Sequence, residues 1–366
     1  MRNNRRFKAL LLIFLIALFL VGCTDVQIES SPNVGNEEYN QNEMDQENGI
    51  LGELQEVKLV PLSSDEMSFL QDGMTGTNFM VRALTSDLNV PFYGNIVLES
   101  NEDMLLAQLG HLAQGDAERS YLMKVFLNYE EVAFRLEGEE NYVTEILFSV
   151  PAGYEAHVPF VLDFEPPNID YTHALTVVVF ENTHLHFADF SEEMTIDLWG
   201  GNVGAMGLSF DVSYGSGGEI KLSVPYTEPL SRHEDMWFHQ VGINQNLNDF
   251  NYVALPEQHI QVKKNEEIEF YWWANIHTES DLENYVIFAL LDWQQIEMNE
   301  VPYLFIPVED DNRELVDHGA LTIQAPNEIG RYEFIAFIVP NATRKQEISN
   351  FFPLEFTRRF TIEVVE

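Results

Sequence analysis

Two stretches of the chain carry one pattern: Tyr121-Leu122-Met123-Lys124-Val125-Phe126-Leu127-Asn128-Tyr129 and Tyr285-Val286-Ile287-Phe288-Ala289-Leu290-Leu291-Asp292-Trp293. Each begins with a tyrosine, continues as an almost unbroken apolar run, and ends in a polar residue followed by an aromatic one. Short apolar runs that are bounded by turn-forming residues predict β-strands. We therefore predict a strand at the same place in each of two halves of the chain.

The likeness continues on both sides of these stretches. Residues 95–134 align with residues 259–298 without a gap, at a constant offset of 164 positions. Further blocks keep the same order in the two halves: Glu56–Leu59 with Glu219–Leu222, Glu66–Gln71 with Asp235–Gln240, Pro167-Asn168 with Pro326-Asn327, and Met194–Leu198 with Phe360–Val364. Collinear matches indicate a repeat, so we predict an internal duplication. The alternative is that two β-rich halves share only the generic pattern of a sandwich.

Strand signals dominate the chain from residue 52 onward. Runs rich in Val, Ile, Phe, Tyr and Thr alternate there with clusters of Gly, Pro, Asn and Asp. Met104–Leu106, together with Leu109 and Leu112, is the one stretch whose spacing suggests a helical turn. Each half has about 150 residues with about eight or nine strand signals, which is the pattern of a β-sandwich. The sequence therefore predicts an all-β fold with two tandem sandwich modules.

The second half contains Ala325-Pro326-Asn327-Glu328-Ile329-Gly330-Arg331-Tyr332. This segment resembles the P-x-x-x-G-x-Y pattern that leads into a late strand in immunoglobulin-like modules of bacterial surface proteins. The first half departs from the pattern, since Tyr171 and His173 stand at the corresponding places. The resemblance implies immunoglobulin-like modules, and it implies no activity, because a fold does not set a function.

A glycine-rich segment, Trp199–Gly207, separates the two halves. We place the first module at residues 52–200, a glycine-rich joint at residues 201–215, and the second module at residues 216–366.

The N-terminus has the parts of a secretory signal. Four basic side chains within residues 1–8 precede an uncharged run over residues 9–20, which is too short to span a bilayer comfortably. Leu20-Val21-Gly22-Cys23 then resembles the lipobox of bacterial lipoproteins. The resemblance implies cleavage between Gly22 and Cys23 and a diacylglycerol on the sulfur of Cys23. The alternative is an uncleaved signal anchor in which Cys23 is incidental. Because Cys23 is the single cysteine of the chain, an intrachain disulfide is excluded.

The remaining chain is strongly acidic. Without residues 1–22 it keeps 15 basic and 60 acidic side chains, a formal charge of −45. That charge repels nucleic acid, whose binding proteins need basic surfaces, and it repels anionic lipid headgroups. We therefore expect no nucleic-acid partner, and membrane attachment through the lipid of Cys23 alone. The acidity suits solubility in salty or alkaline surroundings; the alternative is a divalent cation, such as calcium, or a cationic partner.

Residues 23–51 predict a tether between the anchor and the modules. The segment after Cys23 has no Lys or Arg and is crowded with Asn, Gln, Glu, Asp and Ser. Low hydrophobicity with high net charge is typical of disordered chain. About 28 such residues reach roughly 30 Å.

Two segments are candidates for metal ligands. His184 and His186 share a face if their segment is a strand, and with Asp189 they offer zinc two imidazoles and a carboxylate. The run Glu309-Asp310-Asp311 offers oxygen ligands for calcium, although it lacks the spacing of an EF-hand loop. The simpler interpretation is a loop packed on the core for the histidines and a solvated turn for the acids.

A third candidate is an aromatic platform in the second half. Strand alternation places Tyr271 and Trp273 on one face and Phe270 and Trp272 on the other. If the Tyr271–Trp273 pair is exposed, it offers rings on which a sugar or a partner protein can stack. The alternative is that both faces are covered.

No motif of catalysis stands out. The chain has no G-x-S-x-G nucleophile elbow, and paired carboxylates are expected by chance in so acidic a chain. We expect an exported lipoprotein on the extracytoplasmic face of the cell membrane, in a Gram-positive-type envelope, that displays non-catalytic modules to a surface protein or glycan. The alternatives are a hydrolase, or its accessory module, acting on envelope polysaccharide or peptide, and a divalent-cation binding protein.

Overall fold

The structure is a computed structural model of the whole chain, and it describes the following residues: 54–63, 76–84, 96–98, 103–112, 118–163, 171–183, 186–189, 205–214, 218, 220–234, 240–244, 259–275, 283–308, 315–340, 342–343, 354–357 and 359–366. Residues 50–366 form one compact unit.

The first sandwich is built from eleven described strands: β1 (Lys58–Pro61), β2 (Gly76–Ala83), β3 (Ile96–Leu98), β4 (Leu105–Leu112), β5 (Glu118–Leu127), β6 (Glu130–Glu131), β7 (Phe134–Leu136), β8 (Glu145–Pro151), β9 (Tyr154–Leu162), β10 (Tyr171–Glu181) and β11 (Ala205–Tyr214). A short 3₁₀ turn, Phe187–Asp189, follows β10.

The second sandwich is built from eleven more: β12 (Ser231–Glu234), β13 (Gln240–Asn244), β14 (His259–Lys263), β15 (Glu267–Asn275), β16 (Asn284–Leu291), β17 (Gln294–Ile296), β18 (Leu304–Pro307), β19 (Leu315–Gln324), β20 (Gly330–Pro340), β21 (Glu355–Phe356) and β22 (Phe360–Val365). The predicted all-β fold with two sandwiches is confirmed.

Each sandwich pairs an outer sheet with an inner sheet. In the described residues the outer sheets have the strand orders β1-β9-β4-β2 and β12-β19-β15-β13, and the inner sheets have the orders β3-β11-β10-β5-β6 and β14-β22-β20-β16-β17. In both inner sheets the edge strand runs parallel to its neighbour, β3 with β11 and β14 with β22. The two sandwiches therefore share one strand order.

Alternating side chains from the two sheets fill each sandwich. Val125, Phe148 and Phe160 lie in the first core, and Phe270, Ile287 and Phe334 lie in the second. Inward-facing residues of this kind recur at every second position, as the geometry of a strand requires.

The structure differs from two sequence expectations about local structure. Met104–Leu106 and the leucines after it lie in or just before strand β4, not in a helical turn. The segment forms a strand because β4 pairs with β2 on one side and with β9 on the other. These two ladders of hydrogen bonds stabilise the strand more than the helical spacing of its leucines would stabilise a turn.

The expected joint at residues 201–215 also differs. Residues Ala205–Tyr214 form β11, which pairs along its length with β10 inside the first sandwich. The first sandwich thus extends past residue 200 to Tyr214. β11 takes the place in the inner sheet that β22 takes in the second, whereas the sequence had matched β22 with residues 194–198, which lie outside the described residues. Gly207 of β11 packs directly against Leu354. A Cβ atom at this position would lie 1.9 Å from Leu354 Cδ2, so the close packing requires a glycine.

The inner sheets of the two sandwiches pack face to face. Their outward faces form a third buried apolar cluster, which we call the seam and which contains Leu122, Phe126, Tyr129, Ala174, Val178, Phe180, Ala205, Ile220, Val224, Val286, Phe288, Leu290, Trp293, Tyr303, Phe305, Ile335, Phe337, Val339, Ala342 and Leu354. The rings of Phe126 and Phe288 meet at 4.9 Å between centroids, and Phe288 stacks on Phe337 at 5.0 Å. The central strands β5, β10, β16 and β20 of the inner sheets are consequently buried on both faces over most of their length.

The matched turns of the opening stretches point into this seam. Asn128 and Tyr129 have positive φ values of 51° and 69°, and Asp292 and Trp293 have φ values of 49° and 67°. Two successive residues with positive φ make the hairpin turn whose twist matches that of the flanking strands. A bulky residue adopts this conformation rarely, and it persists here because Tyr129 and Trp293 are buried in the seam.

Candidate functional site

Each turn aromatic reaches the opposite sandwich. The hydroxyl of Tyr129 donates to the carbonyl oxygen of Ala342 at 3.1 Å, and its ring meets that of Tyr303 edge to face at 5.8 Å. Trp293 lies 4.9 Å from the ring of Phe180 in the first sandwich. Aromatic contacts of this geometry add about 0.5–1.5 kcal/mol each beyond the area they bury.

A buried lysine lies at the edge of the seam. The side chain of Lys124 is fully buried, and its Nζ atom lies 2.7 Å from Glu131 and 3.0 Å from Glu145. The side-chain amide of Gln294, in the second sandwich, donates a hydrogen bond to the carboxylate of Glu145 at 3.1 Å. The charge of Lys124 is thus paired inside an apolar stripe, and its acidic partners are tied to the second sandwich.

A shallow groove opens beside this cluster. It is lined by Glu130, Glu131, Gln295, Ile296, Glu297 and Pro302. Glu130 accepts a hydrogen bond from Ser223 at 3.0 Å, and Glu131 is held by Lys124. These carboxylates therefore already have partners within the protein.

A second charged cluster lies around Glu333 on β20. Its side chain is 1 % exposed and meets Arg359 Nε at 2.7 Å. Thr361 donates its hydroxyl to Glu333 at 2.5 Å, and the backbone N–H of Phe187 donates at 3.1 Å. Both hydrogen bonds end on Oε1 of Glu333, and the ion-pair contact with Arg359 is made by Oε2.

The electrostatics of this cluster follow from those contacts. Burial by itself would raise the pKa of Glu333, but the contact with His186, the Arg359 charge and the hydrogen bonds from Thr361 and Phe187 together hold it below its ordinary value of 4.5. Asp292, beside it, behaves in the opposite way: burial raises its pKa above 3.8. Glu333 is therefore held ionised.

The Glu333 cluster fastens the chain that follows β10 to the second sandwich. His186 Nδ1 lies 3.4 Å from Glu333, and the backbone N–H of Ala188 donates to Thr361 at 2.9 Å. Arg359 also lies over the ring of Trp293, 5.2 Å from its centroid. The cluster thus connects the segment after β10 to the second sandwich, and the charges of Glu333 and Arg359 pair with each other.

Among the predicted metal ligands, the structure describes only the side chain of His186. His186 lies beside Glu333 and Asp189 lies in the 3₁₀ turn, whereas His184, Glu309, Asp310 and Asp311 lie outside the described residues, as does the Asp189 side chain. Within the described ranges, no group of three or more His, Cys, Asp and Glu residues is placed to hold a metal ion.

The predicted aromatic alternation is confirmed, but one ring of the platform is buried. Phe270 and Trp272 lie in the second core. On the other face Tyr271 is half-buried and hydrogen-bonds to Glu269, while Trp273 is only 9 % exposed. The pair does not present two open rings.

The anchor residues Gly22 and Cys23 lie outside the described part of the chain. No helix within that part is both long and apolar enough to cross a membrane.

Sequence reasoning missed the charged residues of the seam. A signal was present, since Lys124 and Glu333 each interrupt an apolar strand at a position where the neighbouring residues are buried. A lone charge inside a buried strand requires a partner. The sequence could not say which partner, because Glu145 belongs to β8 and Arg359 directly precedes β22, both distant in the sequence from the residues they pair with.

Comparisons with known proteins give no family. No protein-family model and no curated protein sequence matches the chain. Among solved structures, the chain is similar to the C-terminal domain of the Streptococcus agalactiae AgI/II polypeptide BspA, with a TM-score of 0.22, 9 % identity, and coverage of 78 % of this chain and 100 % of that one. It is also similar to the C-terminal domain of the Streptococcus pyogenes antigen I/II-family protein AspA, with a TM-score of 0.21, 8 % identity, and coverage of 79 % and 99 %.

A third similar structure is the N-terminal domain of PorA, with a TM-score of 0.22, 14 % identity, and coverage of 38 % of this chain and 100 % of that one. Scores and identities at this level carry no argument about function.

Proposed function

We propose that the protein is an exported lipoprotein that displays a stiff, non-catalytic double sandwich for binding at the cell surface. The observation that carries the proposal is the seam, which joins the inner sheets of both sandwiches through one buried apolar cluster. Tandem modules that meet only through a linker move independently. A body fused by a third core instead holds its outer surfaces in a fixed relation, as a display module requires.

We further propose that the double sandwich arose by duplication. The strand orders of the two sandwiches correspond sheet by sheet. The matched turns at Asn128-Tyr129 and Asp292-Trp293 have the same positive φ values to within about 2°. The alternative, generic sandwich patterning, accounts for strands of similar length but not for two rare aromatic turns at equivalent places.

The membrane anchor in this proposal is a lipid on Cys23. The signal-like N-terminus and the lipobox resemblance support lipidation, and the charge of −45 on the remaining chain leaves lipid as the means of holding it to an anionic membrane. Two acyl chains give stable anchoring where one gives only marginal binding. The localisation that follows is the extracytoplasmic face of the cell membrane.

The first experiment tests the anchor. We expect the Cys23→Ala variant, produced in a Gram-positive host, to lose metabolic labelling with palmitate and to leave the membrane fraction once its signal is cleaved. Asp25→Ala is the matched control and should stay lipidated. A cleaved Cys23→Ala chain that remained in the membrane would contradict this account of attachment.

The second experiment tests binding without catalysis. Residues 24–366, without the lipid, are incubated with isolated cell-wall polysaccharide and with intact cells, and both the bound protein and any released fragments are measured. Saturable binding with intact ligand supports the proposal. Release of sugar or peptide fragments would instead favour the hydrolase, and the absence of saturable binding to either preparation would overturn the display role.

A further inference from the structure

The seam has the contacts of a two-fold interface. The backbone N–H of Glu131 donates to the side chain of Gln295, and the backbone N–H of Gln295 donates to the side chain of Glu131. The two residues hold equivalent places, because each lies in the short strand that follows a matched turn, β6 or β17. An interface in which equivalent positions contact each other is isologous, and one surface patch then serves both of its sides.

The turn aromatics repeat this relation at the ends of the late strands. Trp293 packs on Phe180 near the end of β10, and Tyr129 donates to Ala342 just after the end of β20. β10 and β20 occupy the same place in their inner sheets. Each turn therefore contacts the end of the equivalent strand in the opposite sandwich.

The seam face of the second sandwich is more apolar than that of the first. Lys124 precedes its turn by as many positions as Phe288 precedes the other turn. The strand registers likewise place Thr176 of β10 where β20 has Ile335. The first sandwich thus buries a lysine and a hydroxyl where the second buries apolar side chains. We call the following residues of the second sandwich the second seam face: Val286, Phe288, Leu290, Ile335, Phe337 and Val339.

Two copies of the second seam face fit each other by contacts that the seam already makes. Phe126 packs on Phe288, and Leu290 holds the place of Phe126 in the second sandwich. Two facing copies therefore bring Leu290 of each against Phe288 of the other, an apolar contact made twice. Gln295 fits as well, because its backbone N–H donates and its amide oxygen accepts, so two copies satisfy each other.

Charge favours this pairing for the second sandwich and opposes it for the first. Glu333, on the same face as Ile335, keeps Arg359 as its partner within its own sandwich. Two copies of the first sandwich would instead bring the carboxylate of Glu131 against its own copy, where the seam has the neutral amide of Gln295. Facing like charges lower affinity.

We propose that the second seam face is a self-complementary dimerisation surface. Its partner, whenever the first sandwich does not cover it, is the same face of a second copy of the chain. In the intact chain the first sandwich occupies the face, because a covalently linked partner has the higher effective concentration. The inference goes beyond the display role, and it depends neither on lipidation nor on binding to the cell wall.

The test opens the seam in residues 24–366 and leaves the second sandwich as it is. Phe126 and Phe180 pack on Phe288 and Phe337, so Phe126→Asp and Phe180→Asp together set two unpaired charges against the second seam face. Burial of such charges is strongly unfavourable. In sedimentation velocity we expect the parent chain to be a monomer and the opened variant to have twice the mass.

Further substitutions in the opened variant show which surface forms the dimer. Phe288→Asp should return the mass to that of a monomer, whereas Leu230→Asp, at a side chain that is 65 % exposed, should leave the dimer intact. Gln295→Cys introduces the single cysteine of residues 24–366 at the two-fold contact, so a short bis-maleimide should cross-link two chains. Leu230→Cys should give no cross-linked pair.

Fluorescence of the buried Trp272 reports whether the second sandwich is folded. An opened variant that stays monomeric would overturn the proposal, whether or not its second sandwich is folded, because an uncovered face would then have found no copy of itself. A dimer that persists with Phe288→Asp, or that cross-links through Leu230→Cys and not through Gln295→Cys, would equally overturn it.

Discussion

Glu131 and Gln295, which lie 164 positions apart, hydrogen-bond to each other across the seam. The backbone N–H of Glu131 donates to the side-chain oxygen of Gln295 at 2.7 Å, and the backbone N–H of Gln295 donates to the carboxylate of Glu131 at 3.3 Å. The same offset relates the two halves of the sequence, so equivalent positions touch each other. Reciprocal contact between equivalent positions is what a two-fold interface produces, and it supports the proposed duplication of one ancestral sandwich.

The seam should make the two sandwiches unfold together. Phe288→Ala removes a ring that packs on Phe126 and Phe337, and truncation of a buried Phe costs about 3–5 kcal/mol. We expect a lower unfolding free energy and faster hydrogen exchange in β4 of the first sandwich as well as β15 of the second. Mass-spectrometric exchange measures both.

Leu230→Ala is the control for the seam, because Leu230 is 65 % exposed; it should change the unfolding free energy by less than about 0.5 kcal/mol. If Phe288→Ala accelerates exchange in β15 alone, the sandwiches are energetically independent and the stiff body is wrong.

The core of the second sandwich should reject a methyl group at Gly319. A Cβ there would lie 2.2 Å from the indole of Trp272, which is fully buried. Overpacking of this kind costs about 1–3 kcal/mol, so Gly319→Ala should lower the midpoint of chemical denaturation. Gly330→Ala, whose Cβ would have only ordinary contacts starting at 3.5 Å, should leave the midpoint nearly unchanged. Equal effects of the two substitutions would speak against the packing of Trp272 on Gly319.

The ion pair of Glu333 and Arg359 should be strongly coupled to stability. Arg359→Met leaves a buried carboxylate without its cation, which costs about 3–5 kcal/mol. The matched variant is Arg331→Met, since Arg331 is exposed and lies 4.0 Å from the carboxylate of Glu363; it should melt like the parent chain. Thermal melts at neutral pH compare the two. A melting temperature for Arg359→Met equal to that of Arg331→Met would show that Glu333 has another compensating partner.

His111 should make the first sandwich sensitive to acid. Its ring is fully buried and bonds through Nδ1 to the carbonyl oxygen of Val150 at 3.0 Å. Burial lowers the pKa of His111 below 6.5, despite the opposing hydrogen bond. In the pH range between this lowered pKa and 6.5 the unfolded chain binds a proton that the folded chain does not, so the stability present above pH 6.5 falls as the pH drops through that range.

The measurement for His111 is the unfolding free energy as a function of pH. His111→Gln should give a shallower decline between pH 6.5 and 5 than the parent chain, whatever its absolute stability. Leu230→Ala, a substitution of an exposed side chain without a titratable group, should leave the slope as it is. A parallel curve for His111→Gln would mean that His111 does not titrate on unfolding.

The sequence by itself determined the strands and their faces. The runs ending in Tyr129 and Trp293 became β5 and β16 with matched turns. The alternation over residues 270–273 put Phe270 and Trp272 on one face, as predicted, and that face lies in the core. These features depend on neighbours a few residues apart, and the two-residue period of a strand records them directly.

Only the tertiary structure decided what covers those faces. The sequence placed residues 201–215 in a joint, whereas Ala205–Tyr214 completes the inner sheet; it left Trp273 open to exposure, whereas the fold buries it. It also gave no partner for Lys124 or Glu333. The physical reason is the same in each case. The alternation of residues along a strand determines which face of the sheet a side chain lies on, whereas packing between strands distant in the sequence determines which residues it contacts.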